Sequence, residues 1–375
     1  MKSPHADHTD EALNQLFAEA YDAQVEEHYT EAAEKYLLLL DYYPQATVIR
    51  YNLGLVYFSL GNFADALNEF SQALIEQPGD SDILFNLALC QKKTGDFESA
   101  IDTYKKLLTA APDNTDCCYN LAGCYRDTFS DKQAITCYEK VLALDAGYLP
   151  ALNNLAYVHH RNGNMQHAEK YYRQLLTMRP SDESARFMLD SLLETPLCGV
   201  PDSYIQIFFD GYSESFEKSL IDGLGYDNPR QLCNFLLHYT GLKNIRQEYN
   251  HGLDLGCGTG LGGAAFQELV TLFDGVDLSS NMLSYAVNKN CYAALYQGSI
   301  SHYLQVTPET YDFFLAADVF IYVGELENIF IALRAISRPE ALLCFSTEVL
   351  VSTGYRLQKT GRFAYSRTYI QQTGS

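Results

Sequence analysis

Cationic clusters are missing from this sequence. Its 26 lysines and arginines face 47 aspartates and glutamates, for a formal charge of −21. Residues 1–200 carry a net −14 and residues 201–375 a net −7, and neither part has a run of Lys or Arg. Binding to phosphate backbones needs such cations, so no nucleic acid is expected as a partner. The acidity serves solubility by self-repulsion. Long apolar runs are also missing. No stretch approaches the roughly 20 residues that cross a bilayer, so no membrane span is expected. No apolar run follows Lys2, so no secretory leader is expected either. The ten cysteines contain no Cys-x-x-Cys pair, which argues against a bound metal or a disulfide framework. Cys117 and Cys124 lie seven apart on an expected helix and share one face, as small core residues do. Free thiols suit a reducing cytoplasm, and the cytoplasm is the expected location.

What is present is a folded chain. Hydrophobic residues make up 47% and charged residues 19%, unlike a disordered sequence. A length of 375 residues accommodates two domains, each with its own core.

The first is a repeat. Windows of equal length at 13–46, 47–80, 81–114, 115–148 and 149–182 align without an insertion. Their twentieth position is Ala32, Ala66, Ala100, Ala134 and Ala168. Four residues on comes an aromatic: Tyr36, Phe70, Tyr104, Tyr138, Tyr172. The eighth position is small: Ala20, Gly54, Ala88, Ala122, Ala156. Pro44, Pro78, Pro112 and Pro180 close four windows, with Ala146 in the other. Small residues let two helices approach, the aromatic fills the gap one turn on, and proline ends the second helix. Each unit buries its apolar stripe only against its neighbours, so the array stacks into a superhelix with a concave face. The pattern resembles the tetratricopeptide family. Residues 183–194 read as an amphipathic helix closing the stack, giving an expected first domain of 13–194. Asn52, Asn86, Asn120 and Asn154 recur at position six. A similar asparagine ladder holds extended chains in some members of that family, so a protein or peptide partner in this groove is the expectation. Asparagine is also the family's commonest residue there, and that plainer reading stays open.

The second domain is expected over 200–375. Residues 250–263 (Asn-His-Gly-Leu-Asp-Leu-Gly-Cys-Gly-Thr-Gly-Leu-Gly-Gly) read as a short strand, an acid near its end and a glycine-rich turn entering a helix. Glycines let the backbone turn sharply and approach a ligand closely. Asp277 lies 23 residues beyond Asp254, at the end of the next expected strand, where a carboxylate can accept from two ribose hydroxyls. Gly258, Gly260 and Gly263 also satisfy a dinucleotide fingerprint, but that register leaves Asp254 without a role. The Asp-x-Gly-x-Gly-x-Gly register resembles class I S-adenosylmethionine-dependent methyltransferases, an α/β Rossmann-like fold. Tyr311 to Val319 resembles their fourth strand and Ala341 to Glu348 their fifth. Phe208 to Phe216, Ala317 to Gly324 and Gly361 to Ser366 resemble a group of methyltransferases that carry tetratricopeptide repeats in the same chain.

That resemblance implies S-adenosyl-L-methionine as cofactor, held by Asp254, Gly256, Cys257, Gly258, Gly260, Asp277, Leu278, Ser299 and Asp318. It implies Asp318 and Tyr322 near the chemistry, and Tyr212, Glu348 and Arg362 as lid or acceptor residues, with Arg362 suited to an acidic acceptor. Ser299 stands where the group usually has an acid near the adenine. After the fifth strand and a helix around Thr368–Gln372, no sequence is left for the last two strands of a class I sheet, so these are expected to be absent. His251 is expected at the wrong end of its strand for catalysis, and His302 at the surface. The implied activity is methyl transfer to a small molecule or a protein-bound group. The alternatives are a repeat scaffold with an inactive cofactor-binding remnant, and a nicotinamide enzyme.

Overall fold

The computed structural model describes residues 10–212, 217, 225–243 and 245–374. The chain divides into two compact units, Met1–Gln174 and Leu175–Ser375. No helix among the described residues is long and apolar enough to cross a membrane.

The first unit is five antiparallel helix pairs: α1 Asp10–Val25 and α2 Tyr29–Tyr42, α3 Thr47–Ser59 and α4 Phe63–Glu76, α5 Ser81–Lys93 and α6 Phe97–Ala110, α7 Thr115–Asp127 and α8 Asp131–Leu144, α9 Leu149–Arg161 and α10 Met165–Met178. The recurrent alanines and aromatics are at most 1% exposed. A Cβ built on Gly54 would stand 2.7 Å from Cε1 of Phe70, so the ring at position 24 dictates the small residue at position eight. α3 touches α5 and α5 touches α7. This sets the first helices along the inner side of the curve. Cys117 and Cys124 are fully buried, as packing residues would be.

Each pair turns through a residue of positive φ at position 15. Gly61, Gly95 and Gly163 supply it in three repeats, but Glu27 (φ 62°) and Phe129 (φ 56°) do so in the others. Four of the second helices end two residues before a proline, which pushes the residue preceding it out of the α region, and α8 ends in the same register before Ala146.

The second unit opens with α11 Glu183–Leu192 and α12 Asp202–Tyr212, then α13 Asn228–Lys243. The division between units falls inside α10, so the helix expected to close the stack groups with the second unit. Phe187 of α11 packs on Tyr204 of α12 at 4.8 Å, and Lys359 pairs with Glu194 at 3.6 Å.

A parallel sheet follows: β1 Tyr249–Leu255, β2 Val270–Asp277, β3 Ala294–Gln297, β4 Tyr311–Ala316 and β5 Ser337–Phe345, ordered β3-β2-β1-β4-β5. The crossovers are α14 Leu261–Phe266, α15 Ser280–Asn288, α16 Ile300–Val306, and a 3-10 turn Phe320–Tyr322 with α17 Glu327–Ala335. Tyr249, Phe266, Phe273 and Phe313 fill the core beside β1. β5 lies at the edge of this sheet.

Two boundaries differ from the sequence expectation. β4 stops at Ala316 rather than Val319, because Asp318 leaves the extended region with φ 59°. β5 runs Ser337–Phe345, and Glu348 instead starts a separate small sheet of β6 Glu348–Val349, β7 Tyr355–Leu357 and β8 Phe363–Tyr365, followed by α18 Arg367–Gly374. Strands of two or three residues carry too little periodicity to be read from sequence. Tyr365 ties this sheet to the main one: its hydroxyl donates to the Phe320 carbonyl at 2.7 Å and accepts from Gly324 N at 3.0 Å.

A non-glycine residue in the left-handed region costs about 1–2 kcal/mol, partly offset in a glycine variant by the greater entropy of its unfolded chain. Glu27→Gly is expected to stabilise the array by about 0.5–1 kcal/mol, read as a higher urea midpoint with an unchanged slope.

Candidate functional site

The sheet order reverses between β1 and β4, where open α/β sheets receive ligands at the carboxyl ends of their strands. Here β1 runs into the glycine turn. Gly256, Gly258 and Gly260 have φ of 68°, 53° and 91°, values only glycine adopts freely. The carbonyl of Val276 in β2 accepts from Gly256 N at 2.8 Å and Cys257 N at 3.1 Å, pinning the turn to the neighbouring strand. A Cβ on Gly256 would stand 2.6 Å from Cγ2 of Val319, and one on Gly262 2.5 Å from Asp254 Oδ2. A Cβ on Gly258 would meet nothing within 4 Å, so on that side the turn presents bare backbone to open space. Thr259, 2% exposed, has a hydroxyl with no hydrogen-bond partner among the described residues.

Asp277 ends β2. One of its oxygens accepts from Gly258 N and the other from Ser279 N, both at 2.9 Å. Each oxygen retains acceptor capacity. Burial pushes its pKa up, against the pull of those backbone donors. Half-buried Leu278 follows it. Gly298 N donates to the Asp277 carbonyl at 2.9 Å, bringing the start of α16 alongside. There Ser299 caps the helix, accepting from His302 N at 3.3 Å. Ser279 caps α15 and donates to Asp210 of α12, so α12 is tied to the end of β2. The Tyr212 side chain and residues 213–216 lie outside the described residues.

Asp254 is 2% exposed. Its Oδ2 accepts from the Tyr292 hydroxyl at 2.7 Å, and that hydroxyl accepts from Gly263 N at 2.9 Å. Tyr292 thereby clamps the end of β1 to the head of α14. Burial pushes the Asp254 carboxyl up to about 7, with the Tyr292 hydrogen bond pulling it down.

A second cluster adjoins the turn through Val319. Asp318 accepts from Tyr226 Oη at 2.6 Å, Asn228 Nδ2 at 2.8 Å and Ser346 Oγ at 2.8 Å. The network joins the ends of β4 and β5 to the start of α13, and holds a backbone conformation that costs about 1–3 kcal/mol. Burial, then Asp318, push the Tyr226 phenol far up, so it remains a donor. Tyr322 packs edge-on against Phe209 at 5.7 Å. Burial also raises its pKa, while Arg362 beside it acts to lower it. Arg362 stands 3.5 Å from Glu348, and both are partly exposed, a pair worth about 0–1 kcal/mol.

The structure thus brings together Asp254, the glycine turn, Asp277 and Ser299 as one group, and Asp318, Tyr322, Glu348 and Arg362 as another beside it. Sequence reading missed Tyr226, Asn228, Tyr292 and Ser346. None lies in a spaced motif, and only the fold brings them to the strand ends. His251 lies at the start of β1 against Asp274, 2.9 Å away, and His302 is exposed.

In the repeats, Asn86 donates to Tyr51 Oη and Asn154 to Tyr119 Oη, each at 3.1 Å. Asn120 donates to the Asp116 carbonyl at 2.9 Å, and no side-chain hydrogen bond links Asn52 to a described residue. The alternation follows the residue at position five one repeat earlier: Phe17, Tyr51, Phe85, Tyr119. Only tyrosine offers a hydroxyl.

Comparison with known families gives the same division. Residues 17–67, 51–115, 115–148 and 149–182 match tetratricopeptide repeats, and residues 253–345 match a methyltransferase domain. No curated protein matches the chain. Similar solved structures include a tetratricopeptide repeat protein from Parabacteroides merdae ATCC 43184, at 19% identity and TM-score 0.46, covering 53% of this chain and 78% of that one. MamA from Desulfovibrio magneticus RS-1 is 15% identical with TM-score 0.44, over 45% and 96%. YrrB, described as a TPR protein with an unusual peptide-binding site, is 17% identical with TM-score 0.42, over 46% and 88%. Likenesses this distant carry no argument about ligands.

The Asp254 environment has a pH consequence. Its pKa rises from 3.8 unfolded to about 7 folded, so between those values the folded chain holds a proton that the unfolded chain releases. Stability is greatest below the lower value and falls as pH rises through about 7. Asp254→Asn cannot ionise, so its stability relative to wild type is expected to increase between about pH 5 and about pH 8, measured by urea unfolding. A constant difference across that range would contradict this.

Proposed function

We propose that this chain, a tetratricopeptide array followed by a methyltransferase domain, transfers a methyl group from S-adenosyl-L-methionine to a small molecule or a group carried by a protein that the repeats recruit. The observation that carries this is the turn after β1: bare backbone at Gly258 facing open space, an unpartnered Thr259 hydroxyl, and an Asp277 carboxylate with acceptor capacity to spare. When bound, the cofactor supplies an electrophilic methyl group on a sulfonium.

The chain's residues divide the remaining work. Gly256, Cys257, Gly258 and Gly260 carry the backbone close to the methionine end, whose ammonium goes to Asp254. Asp277 accepts from the ribose hydroxyls, with Leu278 and Ser299 bordering the adenine. Ser299 offers no charge there, which weakens binding relative to a carboxylate. Asp318 already accepts three hydrogen bonds, which favours a positioning role over proton abstraction. Tyr322, Arg362 and Glu348 are assigned to the acceptor, and Tyr212, whose side chain lies outside the described residues, is assigned there from the sequence alone. A carboxylate acceptor held by Arg362 needs no general base, so alignment and exclusion of water supply the catalysis. Ten unpaired cysteines favour a reducing cytoplasm as the setting. A second reading makes the repeats the functional part and the second unit a cofactor-binding remnant. The uncharged Ser299 beside the expected adenine favours that one.

Calorimetric titration with S-adenosylmethionine and its demethylated product is expected to give micromolar binding, weakened at least about tenfold in Asp277→Ala by loss of two charge-assisted hydrogen bonds. Binding without turnover on any acceptor would favour the second reading. Preference for NAD would overturn both.

A further inference from the structure

Among the described residues, the repeats contain a half-buried cation, Lys92, that the fold leaves without a counter-charge. Lys92 is in the last turn of α5, on the inner side of the array, and its side chain reaches across to α7. A Cβ built on Gly123 would stand 2.9 Å from Lys92 Nζ, with only the Lys92 side chain within 4 Å. At this position the other repeats carry Tyr21, Leu55, Leu89 and Tyr157. Glycine in the fourth repeat therefore provides the seat in which the ammonium lies.

The neighbouring cations are all satisfied. Arg126 pairs with Asp127 at 2.7 Å and donates to Asn154 Oδ1 at 3.0 Å. Arg161 pairs with Asp131 and lies over the Phe129 ring at 4.8 Å. Lys93 lies over the Phe63 ring at 5.4 Å. Lys92 has no ion pair or hydrogen bond to its ammonium among the described residues. The one nearby carboxylate, Asp127, is engaged by Arg126, and Cys124 is kept neutral because burial pushes its thiol up to about 11. Burial lowers the Lys92 pKa, with Arg126 and Lys93 adding repulsion and Asp127 pulling the other way. A half-buried cation without a counter-charge is costly unless an anion arrives.

We propose that Lys92 is the anchor for an aspartate or glutamate side chain of an extended peptide lying along the inner face of repeats three and four. The proposal rests on the reading of the repeats as a peptide-binding array. Charge complementarity selects the occupant, because a carboxylate supplies what Lys92 lacks and forms a short, charge-assisted bond. Asn120 stands one turn before Gly123 on α7, and its amide donates to Asp116. Its carbonyl oxygen remains to receive a backbone N–H of the same peptide.

The test uses the full chain, immobilised and screened against a displayed library of short random peptides, with selected peptides resynthesised and titrated. Selected sequences are expected to share an Asp or Glu at one place. Changing it to the amide is expected to weaken binding to the wild type about tenfold and to Lys92→Gln hardly at all. Gly123→Ala retains the charge and favours the helix but unseats the ammonium, and is expected to show the same loss. Lys132→Gln, an equal charge change on an exposed site of α8, is expected to bind as wild type does. Peptides that bind without an acid, or equally to Lys92→Gln, would overturn the anchor and leave the groove reading standing. A screen that yields no peptide would overturn both.

Discussion

Both units rest on close approaches that only small residues allow. In the array, Phe70 occupies the volume a side chain at Gly54 would take, and alanine does the same service in the other four repeats. The helix pairs close because of this, and the closed pairs leave an apolar stripe that only a neighbouring pair can cover. In the second unit the same constraint operates on the backbone: Val319 lies against Gly256, Asp254 under Gly262, and Tyr292 against Gly263. Close packing is unforgiving, since a misplaced methylene forces off-rotamer side chains or backbone shifts. The small residues are therefore the fixed points from which the rest of each unit is placed.

Around those points the second unit builds two polar clamps. Tyr292 links Asp254 to the head of α14, and Asp318 gathers Tyr226, Asn228 and Ser346. Each holds something unfavourable in place. One retains a buried carboxyl with a raised pKa, and the other a left-handed aspartate at the end of a strand. Strain and buried charge persist only where the surroundings over-determine them. Both occur at the carboxyl ends of the strands, where β1 and β4 diverge.

Much of this was legible beforehand. The five repeats could be read because their period is fixed by the sterics of a single packing contact, repeated. The glycine turn and Asp277 could be read because local backbone geometry demands glycine and strand length sets the spacing. The capping roles of Ser279 and Ser299 were not read, although both rest on local hydrogen bonds. The small sheet of β6, β7 and β8 could not be read, because two- and three-residue strands have no period to detect.

By itself, then, the sequence determined the helical repeats, how their helices pair and where the bare-backbone turn lies. All of these depend on contacts between residues at most a few dozen positions apart. Only the tertiary structure decided the company those residues keep. Tyr226 meets Asp318 across 92 positions and Asn228 meets Ser346 across 118. Tyr292 reaches Asp254 over 38, and Lys92 comes to rest on a glycine of the next repeat. Such meetings leave no periodic trace, because a hydrogen bond constrains where two atoms end up in space and not how far apart they stand along the chain.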